Sequence, residues 1–146
     1  MKIILAAALA ATIAIPAIAA KSQWTSAVNG GVHEYRVGAP GDRGTSLILS
    51  CPADSAAFIT VQVDGVLPPS GEMVGFKAAG RAIAIRSADS GSIKINTDKD
   101  RAAFASFWSM VRAGSTLTVS YTNGVTANLS LAGSGKALPV RPCNRY

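Results

Sequence analysis

The chain has 146 residues, a formal net charge of +6 and only two cysteines. This length suits a single domain. The basic residues are scattered rather than clustered with aromatic residues, which argues against a nucleic-acid-binding protein. Dispersed positive charge is typical of a solvated surface, and outside the cytoplasm it favours contact with anionic polymers or lipids.

The N-terminus has the composition of a signal peptide. Lys2 gives a positive start, the run after it is almost wholly apolar, and the small residues Ala17 and Ala19 fit a cleavage site. The apolar run is shorter than the roughly 20 residues that a membrane span needs, so we favour cleavage near Ala19 over an anchor. We predict a signal peptide over residues 1–19 and a single β-rich domain over residues 20–146, periplasmic or secreted in a bacterium, with no transmembrane segment in the mature chain.

The two cysteines predict one disulfide, because an even count in an oxidising compartment is typical of a bridge. A bond between Cys51 and Cys143 would join an early strand to the C-terminal tail. It would close a loop of about 90 residues, which the chain-entropy argument values at roughly 4–5 kcal/mol. A metal site is disfavoured, since two distant cysteines and one histidine are poor ligands. We expect no metal and no cofactor.

Short alternating runs separated by turn residues fill most of the mature chain and predict antiparallel sheet. The dipeptide Asn123-Gly124 lies between the last two runs, which is the strongest short hairpin signal. The predicted strands are 24–28, 33–37, 46–51, 58–63, 73–77, 82–86, 92–96, 117–121 and 125–131.

The period of the pattern changes before the last two strands. Large apolar residues then recur at i, i+3, i+4 and i+7, as on one helix face: Phe104, Phe107, Trp108 and Val111. The spacing predicts a helix from Asp100 to Ala113, with Asp98 or Asp100 capping its start and Gly114 ending it. The fold prediction is therefore mainly β: an antiparallel β-sandwich or bent sheet, with one amphipathic helix packed on it and one disulfide.

The stretch "NLSLAGSGKAL" at 128–138 resembles part of a phosphate-binding loop. Such a loop requires glycine where Ser130 stands and a hydroxyl residue where Ala137 stands. Both requirements fail, so the glycines predict a turn that leads from a strand into a short helix.

No catalytic constellation emerges from the sequence. His33, the only histidine, falls in a predicted edge strand beside Glu34, and the nucleophile elbow Gly-x-Ser-x-Gly is absent. The pair Asp98 and Asp100 lacks the spacing of a calcium-binding loop. We predict a protein that is not an enzyme, and we retain a small hydrolase built around His33 as an alternative.

Three segments carry a resemblance to known families: "SLILSC", "AFASFWSMVRAGSTLTVSY", and "ANLSLAGSGKAL" with the closing cysteine. Their order resembles that of the small periplasmic proteins associated with type VI secretion, the VasI type, over roughly residues 47–143. The invasion-associated locus B family, also periplasmic, ends in a similar strand, glycine and helix. Neither family carries a catalytic constellation that transfers to this chain, and the resemblance implies an envelope protein linked to secretion or virulence.

The functional prediction is a non-enzymatic accessory or protein-binding module of the bacterial envelope that contacts another protein through exposed loops and sheet edges. The alternative is a periplasmic inhibitor or immunity protein that blocks a toxin or a cell-wall hydrolase. Loops 38–44 and 68–72 are rich in glycine and proline, and nearby arginines would steer an acidic partner toward them. The predicted partner surface consists of Arg36, Arg43, Pro68, Pro69 and Glu72.

Overall fold

The computed structural model describes residues 23–39, 44–88 and 91–144, so the predicted signal peptide lies outside the described residues. Within these ranges the chain forms nine strands and two α-helices: β1 (Thr25–Asn29), β2 (Val32–Gly38), β3 (Ser46–Pro52), β4 (Phe58–Gln62), β5 (Met73–Ala78), β6 (Arg81–Arg86), β7 (Ser92–Lys94), α1 (Asp98–Ala113), β8 (Thr116–Tyr121), β9 (Thr126–Ser130) and α2 (Ser134–Ala137). A 3-10 turn, Pro142–Asn144, follows.

The strands form two antiparallel sheets. One has the order β1-β2-β3-β4-β7 and the other β6-β5-β8-β9. A single core holds side chains from both sheets, such as Leu49 of β3 and Phe76 of β5. The Tyr121 hydroxyl on β8 donates a hydrogen bond of 3.2 Å to the carbonyl of Val66, and burial raises the pKa of this phenol to about 12. The predicted mainly β fold with one main helix is confirmed.

The position of β2 differs from the prediction. His33 lies in an interior strand, because β1 pairs with β2 on one side and β3 pairs with it on the other. The hydrophobic pattern of β2 does not distinguish an interior strand from an edge strand. Which neighbours it pairs with depends on the rest of the chain.

Helix α1 contacts both sheets through its aromatic side chains. The ring of Phe107 lies 4.7 Å from that of Phe76 on β5, and the ring of Trp108 lies 5.5 Å from that of Tyr35 on β2. This confirms core packing as the role of the apolar stripe. No helix among the described residues is both long and apolar enough to cross a membrane.

The start of α1 is capped by Thr97 and not by an aspartate, so that prediction was wrong. The Thr97 hydroxyl accepts from the Asp100 N–H (3.1 Å), and the Asp100 carboxylate accepts from the Thr97 N–H (3.0 Å), which completes a capping box. Burial opposes ionisation of Asp100, but these hydrogen bonds prevail and lower its pKa. Asp98 forms an ion pair with Arg101 instead. Gly114 ends the helix as predicted.

The C-terminal tail returns to the first sheet through the predicted disulfide. Cys51 of β3 is bonded to Cys143, with 5.2 Å between the two Cα atoms. Upstream, Gly133 adopts a left-handed conformation (φ 84°) at the start of α2, where residues with a side chain are strained. The glycine stretch therefore turns the chain from β9 into a short helix, as predicted.

Candidate functional site

The hairpin formed by β1 and β2 has a two-residue turn and an exposed first strand. Gly30 and Gly31 have φ values of 54° and 80°, as a type I′ turn requires at both central positions. All five residues of β1 are exposed, and Val28 keeps 67% of its surface accessible. This strand therefore has no buried face.

The hydrogen-bond pattern of β2 shows which backbone groups of β1 are free. At the end of the β2–β3 pair, the Ala53 N–H donates to the carbonyl of Gly31 (3.3 Å), so the odd-numbered residues of β2 face β3. The even-numbered ones face β1 and bond to Ala27 and Asn29. The N–H and C=O groups of Ser26 and Val28 consequently point away from β2. No described strand pairs with that side.

The described open edge of β1 lacks two of the usual protections against pairing, a charged side chain and a proline. Natural edge strands are blunted by charged side chains, proline, bulges or a covering element. The sequence of β1 is TSAVN, without a charge or a proline. The free N–H and C=O groups of this edge could therefore pair with another strand.

The inner face of the hairpin overhangs a first cavity of about 510 Å³. Trp24 and Ser26 line the hairpin side, while Ala132, Gly133 and Lys136 line the opposite side. Trp24 is only 8% exposed, and its indole N–H has no hydrogen-bond partner among the described residues. A buried donor without an acceptor is costly and requires an explanation. The first cavity thus combines apolar walls with one cation, Lys136.

A second cavity of about 300 Å³ lies further along the same hairpin, beside the disulfide. The His33 ring stacks on Tyr35 at 4.5 Å, and the Tyr35 hydroxyl lies 3.3 Å from His33 Nδ1. Burial raises the pKa of the Tyr35 phenol. The described lining holds the disulfide of Cys51 and Cys143 but no carboxylate and no serine. The hydrolase alternative therefore gains no support from the surroundings of His33 and stays a hypothesis.

The wall opposite the hairpin, the C-terminal segment (residues 132–143), is held by α1. Trp108 Nε1 donates to the carbonyl of Pro139 (2.8 Å), and Arg112 Nε donates to that of Leu138 (3.1 Å). The buried Ser134 hydroxyl donates to the carbonyl of Val111 (2.7 Å). Together with the disulfide, these bonds fix the C-terminal segment before anything binds. The two cavities, the hairpin and the C-terminal segment are called the cleft below.

The predicted partner surface lies elsewhere. Arg36 projects from the outer face of the five-stranded sheet and forms an ion pair with Glu34. The hydrogen bond from Arg36, followed by that from Asn29, lowers the pKa of Glu34 despite partial burial. Arg36 is thus already engaged with an acid of its own strand. Arg43 lies outside the described residues.

The 68–72 loop is packed against the rest of the protein. Pro68 is buried, and the carbonyl of Pro69 accepts a 2.5 Å hydrogen bond from the Ser87 hydroxyl, whereas Glu72 is exposed. The loop lies near β7, because Gly91, just before that strand, lies against Pro68. In the sheet register, Ser92 of β7 is three strands away from Arg36 of β2. Three strand spacings amount to about 14 Å. The structure therefore separates Arg36 from the 68–72 loop, and the role of the predicted surface in binding stays a prediction.

Sequence reasoning did not identify Trp24, Ser26 and Lys136 as neighbours. One signal was available in β1, which has a single large apolar residue, Val28, and therefore no apolar face to bury. A strand of that kind is either marginally stable or is stabilised by binding a partner strand. The opposing wall gave no such signal, because Trp24 and Lys136 are brought together only by the tertiary fold.

Residues 22–138 match the YfjT family, and this match covers 117 of the 146 residues. The chain belongs to the YfjT family. The matched span includes both walls of the first cavity and ends before Cys143. Comparison with curated proteins and with solved structures gave no match.

Proposed function

We propose that this protein is an exported, non-enzymatic accessory or protein-binding module of the bacterial envelope. The observation that carries the proposal is the uncharged edge of β1, which is exposed on both faces and open along its backbone. Strand addition to such an edge is a recurrent mode of peptide recognition. The disulfide between Cys51 and Cys143 supports the compartment, since disulfides persist mainly in oxidising environments.

A photo-crosslinking amino acid introduced in place of Val28 tests the proposal in cells. Val66 is the matched control, because it is also an exposed valine (44% against 67%) but lies just after β4, which is three strands away from β1 in the sheet. The full chain is expressed in a bacterium with a periplasm, the envelope is fractionated after irradiation, and crosslinked partners are identified by mass spectrometry.

We expect one specific adduct from position 28, none from position 66, and a protein cleaved near Ala19 in the periplasmic fraction. A protein retained in the cytoplasm would refute the export part of the proposal. Equal crosslinking from both positions, or none from either, would refute the binding part.

A periplasmic inhibitor or immunity protein is the second candidate function. The observation that favours it is the fixed C-terminal segment, because proteins that inhibit enzymes commonly present a surface that changes little on binding. The two functions differ in the partner: a toxin or cell-wall hydrolase would lose activity on addition of this protein. If the activity of the partner enzyme does not change when this protein is added, the accessory role is favoured over the inhibitor.

A link to secretion or virulence forms part of the proposal. It is supported by the resemblance to the type VI secretion-associated VasI type and to the invasion-associated locus B family. The YfjT family name specifies neither process. A gene neighbourhood with secretion genes would strengthen this link, and an adjacent toxin gene would favour the inhibitor.

A further inference from the structure

We propose that the partner binds as an extended, acidic polypeptide segment that pairs with β1 and places an apolar side chain in the first cavity. This inference rests on the proposed binding function and specifies the site and the chemistry of the ligand. Three properties of the cleft support it: its free backbone groups, its shape and its charge.

The free backbone groups of β1 would bind the backbone of the partner segment. Ser26 and Val28 present two N–H donors and two C=O acceptors along the open edge. An antiparallel segment would exchange a pair of hydrogen bonds with each of these residues. Such bonds do not depend on the partner's side chains, so they supply affinity for an extended chain in general.

The shape of the cleft then selects the side chain. Residues directly opposite each other in a sheet project on the same face, so a partner residue opposite Ser26 would project toward the first cavity, which Ser26 itself lines. The walls there are the ring of Trp24 and the small residues Ala132 and Ala137. The cavity of about 510 Å³ has room for a large apolar side chain.

The charge of the cleft favours an acidic segment. Lys136 is the charged residue of the first cavity, and no acidic residue is among its described lining residues. The chain as a whole has 14 basic and 8 acidic residues. Acids two residues before or after the inserted apolar residue would project on the same face as that residue and would be attracted to Lys136, whereas lysines at those positions would be repelled.

Synthetic peptides test this inference without knowledge of the natural partner. The probes are fluorescein-labelled ten-residue peptides with one central phenylalanine, aspartate two residues before it and two residues after it, and valine or threonine elsewhere, so that the phenylalanine and both aspartates project on one face. A second series replaces aspartate by lysine, and a third replaces alternate residues by proline, which has no N–H to pair. Binding to the oxidised mature protein is followed by fluorescence anisotropy at low and high salt. We expect the acidic peptide to bind at least about tenfold more tightly than either control, with an affinity that falls as salt is added.

Ser26→Pro and Ser26→Ala form the decisive pair of variants. Proline at position 26 removes an N–H that points away from β2, so the bonds between β1 and β2 remain. Alanine removes the hydroxyl and keeps the N–H. We expect at least about a tenfold loss of affinity for Ser26→Pro, equivalent to about 1.4 kcal/mol, and a change within about twofold for Ser26→Ala. Unchanged melting temperatures confirm that both variants fold.

Three outcomes would overturn the inference. The first is equal binding by the proline and alanine variants, and the second is binding of the lysine peptide as tight as that of the aspartate peptide. The third is a wild-type dimer in sedimentation that Ser26→Pro abolishes, which would assign the edge to a second copy of the chain. A specific adduct at Val28 combined with unaffected binding by Ser26→Pro would leave the proposed function standing and reject only strand pairing.

Discussion

The two walls of the cleft are built in different ways. The C-terminal segment is fixed by four hydrogen bonds to or from α1 residues and by the disulfide at Cys143. Among the described strands β1 pairs with β2 alone, and every residue of β1 is exposed. Stabilising contacts are thus concentrated on the wall that a ligand would rest against, while the backbone on the other wall is left free.

This difference is what strand addition requires. A fixed opposing wall keeps the first cavity in shape without a ligand, which lowers the entropy lost on binding. A free edge supplies donors and acceptors that have no competing internal partner. The edge of β6 shows the contrast within the same molecule: Arg81 and Arg86 lie at its ends, and both donate hydrogen bonds, to Ser109 of α1 and to the carbonyl of Gly71.

Loss of the disulfide should have the largest effect on the fixed wall. Replacing Cys51 and Cys143 by serine removes a covalent link between two residues that are 92 positions apart in the sequence. We expect the free energy of unfolding to fall by roughly 4 kcal/mol, because the unfolded chain gains conformational freedom. Urea unfolding of the double variant measures this change, and reduced wild type should give the same value. A loss below about 1 kcal/mol would contradict the assigned role of the bridge.

The side chain of Arg112 should contribute the next largest effect. Its guanidinium donates to the carbonyls of Leu138 and Gly135 from the last turn of α1. Arg112→Ala should lower the free energy of unfolding by about 1–2 kcal/mol, because the buried Leu138 carbonyl loses its donor. Arg81→Ala is the matched control, since Arg81 is exposed and its bond to Ser109 is worth less than about 0.5 kcal/mol. Equal losses in the two variants would show that Arg112 does not hold the C-terminal segment.

The outer face of the hairpin should show a small, pH-dependent effect through Glu34. Hydrogen bonds from Arg36 and Asn29 lower its pKa below the ordinary value of 4.5. A carboxylate with a lowered pKa stabilises the fold above its unfolded pKa, and this contribution disappears as the pH falls through the folded pKa. The free energy of unfolding of wild type should therefore exceed that of Glu34→Gln by about 0.5 kcal/mol near pH 7, and the difference should be smaller near pH 3. Thermal unfolding at both pH values tests this, and a pH-independent difference would contradict the ion pair.

Truncation of the β1 wall itself should have the smallest effect. Val28→Ala should change the free energy of unfolding by less than about 0.3 kcal/mol, because the side chain is 67% exposed. Val74→Ala removes the same atoms from a fully buried site on β5 and should cost about 2 kcal/mol. Chemical denaturation of both variants gives the comparison. A cost above about 1 kcal/mol for Val28→Ala would mean that β1 is part of the core.

Much of the fold could be predicted from local patterns, whereas the cleft could not. Alternation located all nine strands to within a few residues, and the helical stripe around Phe107 located α1. The cap at Thr97 was missed because Asp98 and Asp100 are equally good capping residues by type, and only backbone geometry decides among them. Trp24 and Lys136 line the same cavity only because of how the two sheets and the disulfide assemble. No local period in the sequence encodes that assembly.

Amide hydrogen exchange of Ser26 and Val28 tests the central claim most directly. In the free protein both N–H groups point away from β2, so they should exchange rapidly, while those of Ala27 and Asn29 are protected by their bonds to β2. Saturation with the aspartate-containing peptide should slow exchange at Ser26 and Val28 by at least about tenfold and leave their neighbours little changed. A peptide that binds while these two amides continue to exchange at the free rate would contradict strand pairing at β1.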